Sequence, residues 1–184
     1  MKTIYILLFL LTINIYASDI NSKEAVSNLK AYALYKMGKF DEAKVIWDKL
    51  ADKGNTTALI NISNLYEHGF GVKINKKIAL EYVIKAANLG DERSQYELGM
   101  NYEKGLYVER NIDKAEFWLE KSAKNGKIDA IRAYSILLAT GKGKGFENLS
   151  SEENKKALKW LNIARKNQIR EVDEYIILLK KKKK

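Results

Sequence analysis

The sequence predicts an all-α protein, a right-handed α-α superhelical solenoid of about four helix-pair repeats that ends in a C-terminal capping helix. Three observations predict this fold class. Residues recur at a fixed spacing of 36, glycines follow the apolar segments, and the chain of 184 residues contains no proline. A constant period of roughly 20 to 50 residues is typical of stacked supersecondary units, each of which buries its apolar face against its neighbour.

The repeat is defined by columns of small residues that share this spacing. The clearest columns are three glycines and three alanines, namely Gly54, Gly90, Gly126, Ala43, Ala79 and Ala115. Small residues allow the close helix approach that ridge-into-groove packing requires. Glycine is favoured just after a helix because it adopts a left-handed backbone without a steric penalty. Each period therefore predicts one pair of helices.

Apolar periodicity and the glycines together predict where the helices begin and end. Eight helices are expected in four pairs, over Lys23–Met37, Asp41–Lys53, Thr57–His68, Asn75–Leu89, Glu92–Lys104, Asn111–Asn125, Ile128–Ala139 and Ser151–Asn167. The fourth pair carries an insertion of six residues, because Trp118 maps to Trp160 at an offset of 42 instead of 36. The segment 141–145 is therefore expected to be a longer, mobile loop.

A final amphipathic helix is predicted after the repeats. Four apolar residues spaced three to four positions apart share one helical face, Ile169, Val172, Ile176 and Leu179. The last repeat of a solenoid leaves an apolar surface, which this helix would cover. The alternative is a helix on a membrane surface. Its weak, salt-sensitive contact with an anionic surface would come from the terminal lysines Lys180, Lys181, Lys182, Lys183 and Lys184.

The second and third periods carry the motif of a known family. Residues 58–90 read Ala58-x3-Ile62-Ser63-x2-Tyr66-x2-Gly69-x-Gly71, then Lys77-x-Ala79-x2-Tyr82-x2-Lys85-Ala86-Ala87-x2-Gly90, and residues 98–126 repeat the pattern. This pattern resembles the Sel-one-like repeat of the tetratricopeptide-like superfamily, in its exported bacterial type. The resemblance implies a tetratricopeptide-like repeat at 23–54, Sel-one-like repeats at 55–90, 91–126 and 127–168, and a capping helix with a lysine tail at 169–184.

The N-terminus has the layout of a secretory signal peptide. Lys2 precedes an apolar run from Ile4 to Tyr16, and the small residues Ala17 and Ser18 follow. The run is shorter than the roughly 20 residues of a spanning helix, so an uncleaved anchor is the weaker alternative. Cleavage after Ala17 would remove residues 1–17, and cleavage after Ser18 stays open. We therefore expect an exported protein, periplasmic or secreted, with no transmembrane segment in its mature form.

The composition disfavours nucleic-acid binding and catalysis. Of 33 Lys and Arg residues, six are Lys2 and the terminal lysines, which leaves 27 basic residues against 23 acidic ones. That balance is typical of an ordinary soluble surface. His68 is the only histidine and cysteine is absent, which excludes a Cys-His nucleophile and a common zinc site. We expect no catalytic residue, no metal and no cofactor.

The resemblance implies a binding function, because the first helices of such repeats line a concave face that receives a protein or peptide. The predicted partner-binding residues are Thr57, Ile60, Asn64, Glu67, His68, Arg93, Tyr96, Met100, Glu103, Lys104, Asp129, Arg132 and Ile136. The expected role is an exported scaffold or adaptor in bacterial envelope assembly, cell-wall processes or host contact. The alternative is a penicillin-binding or β-lactamase-like hydrolase related to cysteine-rich repeat proteins, from which this chain departs because it lacks cysteine.

Overall fold

The computed structural model describes residues 22–181, and this part of the chain contains helices and turns but no strand. Nine α-helices follow one another as α1 (22–36), α2 (Phe40–Ala51), α3 (Thr56–His68), α4 (Lys76–Asn88), α5 (Glu92–Lys104), α6 (Ile112–Lys124), α7 (Ile128–Ala139), α8 (Ser151–Lys166) and α9 (Asp173–Lys181). Short 3₁₀ turns occupy Gly141–Gly143, Phe146–Asn148 and Arg170–Val172. The predicted signal peptide at 1–17 and the last three lysines, Lys182, Lys183 and Lys184, lie outside the described residues.

The eight helices predicted from the repeat are confirmed, and each end lies within two residues of its prediction. The prediction of the capping helix was wrong at its start, because α9 begins at Asp173 and not at Ile169. A 3₁₀ turn at Arg170–Val172 lies between them. Val172, Ile176 and Leu179 are nevertheless buried as the shared face predicted. Within residues 22–181, no helix combines the length and the apolar character needed to cross a membrane.

The chain divides into two compact units, residues 1–82 and 83–184. In the described part of the first unit, α2 packs on α3 around the buried Trp47 and Ile62. Ala31, Ala43 and Ala58 are fully buried in the same cluster, where their small side chains let the helices approach closely. The position of Ala43 and Ala58 in the repeat columns therefore reflects packing.

In the second unit, α5 packs on α6, α6 on α7 and α7 on α8, around a core that includes Leu119, Tyr134 and Leu161. Gly99 of α5 lies directly against Leu119 of α6. A Cβ atom at Gly99 would lie 2.8 Å from Leu119 Cγ and 3.1 Å from the Leu119 backbone nitrogen. These distances leave no room for a side chain, so glycine is required inside a helix that it otherwise weakens.

The glycines that end the second helix of each pair have the predicted left-handed backbone. Gly54, Gly90 and Gly126 have φ values of 84°, 98° and 88°. The fourth repeat has Gln168 at the corresponding position, and its φ is 65°. A residue with a Cβ atom pays roughly 1 kcal/mol for this conformation, so the last repeat ends in a strained backbone.

The inserted loop of the fourth repeat was predicted to be mobile, but the structure anchors it to α6. Lys142 Nζ in the loop forms an ion pair with Glu116 on α6, and Lys156 Nζ on α8 lies 3.0 Å from the other Glu116 oxygen. Burial alone would raise the pKa of Glu116, but hydrogen bonds from Lys142 and Lys156 outweigh it and hold the pKa below its usual 4.5. The insertion is therefore part of the packed second unit.

Candidate functional site

The thirteen predicted partner-binding residues all reach the surface, since none is in the buried class. They do not line a single groove. Arg93, Tyr96, Met100 and Lys104 come together in a groove of the second unit, while Thr57 lines a separate groove of the first unit. The remaining eight line neither groove.

The groove of the second unit, called here the α5 groove, has a volume of about 420 Å³. Its lining consists of six residues of α5 and one residue that precedes α7, in order Arg93, Tyr96, Glu97, Met100, Asn101, Lys104 and Lys127. Four of the seven were predicted from the sequence. Glu97, Asn101 and Lys127 were missed.

Local sequence fixes the direction of α5. The helix begins where Asp91 Oδ1 accepts a hydrogen bond from the Ser94 backbone N–H at 2.8 Å, and it ends at Gly105 with a φ of 71°. The buried face of α5 contains Ser94, Leu98 and Gly99. Residues three, four and seven positions apart share a helical face, so the spacing of 93, 97, 100 and 104 turns these side chains to the groove.

The floor of the α5 groove is apolar and its rim is cationic. Tyr96 and Met100 are partly buried and pack on the core of the second unit. Lys127 Nζ lies 6.0 Å from the centre of the Tyr96 ring, within cation–π range. Arg93 and Lys104 are exposed, and neither forms an ion pair within the described residues 22–181. The groove therefore presents two unpaired cations beside an apolar surface.

Asn101 is the unusual residue of this groove, because it is only 7% exposed and polar. The same repeat position holds Leu65 and Leu137, which are 0% and 4% exposed. Among residues 22–181 no group hydrogen-bonds to the Asn101 side-chain amide, although its backbone carbonyl accepts from Gly105 and Leu106. The amide is not among the fully buried, unpartnered polar atoms of residues 22–181, so it stays accessible to solvent from the groove. One polar residue in a column of leucines is the sequence signal that could have identified it.

The groove of the first unit, called here the α1 groove, has a volume of about 600 Å³ and lies along α1 and the start of α3. Three of its polar residues bond to one another, while Oδ1 of Asn28 is buried without a hydrogen-bond partner within residues 22–181. Asn28 Nδ2 donates to Asn55 Oδ1 at 3.1 Å, and Asn55 Nδ2 donates to Glu24 Oε2 at 3.1 Å. Asn55 Oδ1 also caps α3 by accepting from the Ala58 N–H at 3.0 Å. These amides join α1 to α3.

The other predicted residues of the first unit contribute to the local packing of α3. Glu67 pairs with Lys76 at 3.2 Å. His68 Nδ1 lies 3.0 Å from the Asn64 carbonyl oxygen, and its ring stacks on Phe70 with centroids 5.5 Å apart. His68 is the last residue of α3. Ile60 is partly buried and lines neither groove.

The last predicted residues lie outside the α5 groove in the second unit. Asp129 pairs with Lys127 at 2.6 Å, and this hydrogen bond holds the pKa of Asp129 below its usual 3.8. Arg132 pairs with Glu171 at 3.3 Å. Ile136 packs on the core, and the Glu103 carbonyl accepts from Arg110 Nε at 3.0 Å. Within residues 22–181 no cluster of three or more His, Cys, Asp or Glu side chains could hold a metal ion.

Comparison with solved structures identifies the fold. A Sel1 repeat protein from Oxalobacter formigenes is 30% identical and superimposes with a TM-score of 0.61, covering 75% of this chain and 54% of that chain. A protective antigen present in uropathogenic Escherichia coli strains, described as having an SLR fold, gives a TM-score of 0.63 at 21% identity and covers 78% of this chain and 30% of that one. The second likeness shows the fold alone.

Sequence comparison identifies the family. The exopolysaccharide production negative regulator of Rhizobium meliloti (strain 1021) is 28% identical over 150 residues, which are 74% of this chain and 54% of the relative. The chain spans as little as 12% of the length of other relatives that it matches. The family model of the Sel1 repeat matches three times, at residues 56–91, 93–127 and 129–168. The chain therefore belongs to the Sel1 repeat family and is an all-α repeat solenoid.

Proposed function

We propose that this chain is a scaffold without enzymatic activity of its own, and that it binds a protein partner through the α5 groove. The observation that carries the proposal is the composition of that groove. Arg93 and Lys104 are unpaired, Tyr96 and Met100 form an apolar floor, and Asn101 holds an unpaired amide. Aromatic residues, Met and Arg are enriched at protein interfaces, and unpaired groups in a groove favour a partner that pairs with them.

Family membership supports the same function. Repeat solenoids present extended surfaces that bind other proteins, and the rhizobial relative is named as a regulator. A regulator or adaptor acts by contact with another macromolecule. We further propose an exported adaptor of the bacterial envelope, periplasmic or secreted, with a role in envelope assembly, cell-wall processes or host contact. The support for export is the N-terminal sequence from Lys2 to Ser18.

A differential capture experiment tests the proposed function. The chain from Asp19 onward is immobilised and exposed to an envelope extract of the organism that makes it, and captured proteins are identified by mass spectrometry. The double variant Arg93→Glu/Lys104→Glu should lose the partners that the wild type captures, because it reverses both unpaired cations of the groove. Lys49→Glu/Lys53→Glu is the control, since it changes the net charge by the same amount at residues of the first unit that do not line the α5 groove.

Recovery of the same partners by the wild type and by the double variant would contradict a function in the α5 groove.

Incubation of the same preparation with a chromogenic β-lactam checks the enzymatic alternative. Turnover above a buffer control would overturn the proposal that the chain has no enzymatic activity. Export is tested by fractionating cells that express the full chain with a C-terminal tag. A tagged chain that stays in the cytoplasm with residues 1–17 still attached would contradict export.

A further inference from the structure

We propose that the α5 groove selects an extended acidic segment of its partner, with two carboxylates about five residues apart and one apolar side chain between them. This inference rests on the proposed function and specifies the chemistry of the partner at the same groove. It follows from three features of the groove: the spacing of its unpaired cations, its apolar floor and the unpaired amide of Asn101.

The first feature is charge. Arg93, Lys104 and Lys127 line the groove with Glu97 as the only carboxylate among its lining residues. Lys127 is already paired with Asp129, whereas Arg93 and Lys104 are not paired within residues 22–181. Arg93 and Lys104 are separated by eleven positions of α5, or about 16 Å at a rise of 1.5 Å per residue. An extended segment covers this distance in about five residues, which sets the spacing of the two carboxylates.

The second feature is the apolar floor. Tyr96 and Met100 lie between Arg93 and Lys104 along α5, and both are partly buried against the core. Met is unbranched and adapts its shape to different apolar partners. A Leu, Ile, Val or Phe side chain between the two carboxylates would cover this floor. A segment of acidic and polar residues alone would leave it exposed to water.

The third feature is Asn101, which is 7% exposed and lines the groove. Its side chain carries one carbonyl acceptor and two N–H donors, so it can bond to both the N–H and the C=O of a peptide backbone. This pairing does not depend on the partner's side chains, and it favours an extended backbone whose polar groups are free. It also accounts for an asparagine in a column where Leu65 and Leu137 are buried.

Fluorescence polarisation with a designed peptide tests the proposal on the chain from Asp19 onward. The probe is a labelled peptide of sequence Ser-Asp-Ser-Leu-Ser-Ser-Asp-Ser, in which the aspartates are five positions apart. Two control peptides replace both Asp by Lys or the Leu by Ser. The wild type should bind the probe at least about tenfold more tightly than either control, which corresponds to about 1.4 kcal/mol. Equal binding of the three peptides would overturn the proposal.

Variants of the chain distinguish probe binding in the α5 groove from a general attraction of the acidic probe to a basic protein. Arg93→Glu/Lys104→Glu should weaken probe binding at least about tenfold. Lys49→Glu/Lys53→Glu changes the net charge by the same amount on residues of the first unit and should leave binding within about twofold. Equal losses in both double variants would show attraction to net charge alone and would overturn the proposal.

Asn101 has a diagnostic substitution, because Asn101→Leu restores the apolar residue of its column. We expect this variant to raise Tm by about 2 °C or more while weakening probe binding at least about tenfold. Asn101→Ala should weaken binding without the gain in Tm. Unchanged affinity in Asn101→Leu would overturn the assigned role of the amide.

The two proposals fail in distinguishable ways. If capture of envelope proteins depends on Arg93 and Lys104 but the probe does not bind, the groove binds a partner of other chemistry and only the acidic segment is wrong. If neither capture nor probe binding depends on these residues, the proposed function is wrong as well.

Discussion

The α1 and α5 grooves differ in how their polar side chains contact the rest of the protein. In the α1 groove, Asn28, Asn55 and Glu24 bond to one another and join two helices. In the α5 groove, Arg93 and Asn101 have no such partners within residues 22–181. A groove-lining position on a helix is therefore not enough to identify a binding residue. Side-chain bonds between helices distinguish the two cases, because they join α1 to α3 at Asn28 and Asn55 and none is made by Asn101 within residues 22–181.

The largest expected effect on the free energy of unfolding comes from the residue at which α3 or α5 contacts the next helix. Gly99 and Ser63 occupy the same repeat position, but Gly99 contacts Leu119 directly, whereas Ser63 Oγ donates to the Ala79 carbonyl at 2.9 Å. Gly99→Ala should lower the free energy of unfolding by roughly 1–3 kcal/mol through overpacking. Ser63→Ala removes one hydrogen bond and should cost about 1 kcal/mol. Urea denaturation measures both, and a smaller loss in Gly99→Ala would contradict the close approach.

The second prediction compares the residues that cap α3 and α5. Asn55 and Asp91 are 36 positions apart, and both accept a hydrogen bond from the first turn of their helix. Asn55 also bonds to Asn28 and Glu24. Asn55→Ala should therefore cost roughly 2 kcal/mol, against about 1 kcal/mol for Asp91→Ala. Thermal unfolding of the two variants gives the difference, and equal losses would show that the amide network of the α1 groove adds no stability.

The third prediction concerns the ion pairs that anchor the inserted loop of the second unit. The pKa of Glu116 is lowered in the folded protein, so its contribution to stability is present above pH 4.5 and is lost as the pH falls through the folded pKa. Glu116→Gln should lower the free energy of unfolding by less than about 1 kcal/mol at pH 7, since the pairs are partly exposed.

Unfolding curves at pH 7 and pH 3 test the third prediction, because the difference between wild type and Glu116→Gln should shrink at the lower pH. Asp48→Asn in the first unit is the control, since it removes the Lys44–Asp48 pair within α2 at 2.9 Å and leaves the loop untouched. A difference that is the same at both pH values would show that the charge of Glu116 does not anchor the loop.

The smallest expected effect on the free energy of unfolding concerns residues with a left-handed backbone. In the described part of the first unit all of them are glycines, while the second unit also has Tyr107, Lys142 and Gln168 with positive φ. Gln168→Gly should raise the free energy of unfolding by up to about 1 kcal/mol, because glycine removes the steric cost. Gln168→Ala keeps a Cβ atom and is the matched control. A gain in both variants would point to the glutamine side chain and not to the backbone.

The sequence was sufficient to predict the helices of the repeats and four of the seven residues that line the α5 groove. The 36-residue spacing predicted helix ends to within two residues, because small and apolar columns are direct requirements of packing. It did not predict Asn101, because the column of Leu65, Asn101 and Leu137 was not used to define the repeat. Lys127 was missed because it precedes α7 and lies outside the helical face considered. The anchor of Lys142 on Glu116 joins residues far apart in the sequence, and local spacing carries no signal for it.

Gly99 has a consequence for the kind of partner that would bind best. At this glycine α5 contacts α6 directly. There is no space for α5 to move towards α6 when a partner segment binds in the groove. The loss of conformational entropy on association then falls mainly on the incoming segment. A partner that displays its acidic residues on a constrained loop or a strand should therefore bind more tightly than a flexible tail of the same composition.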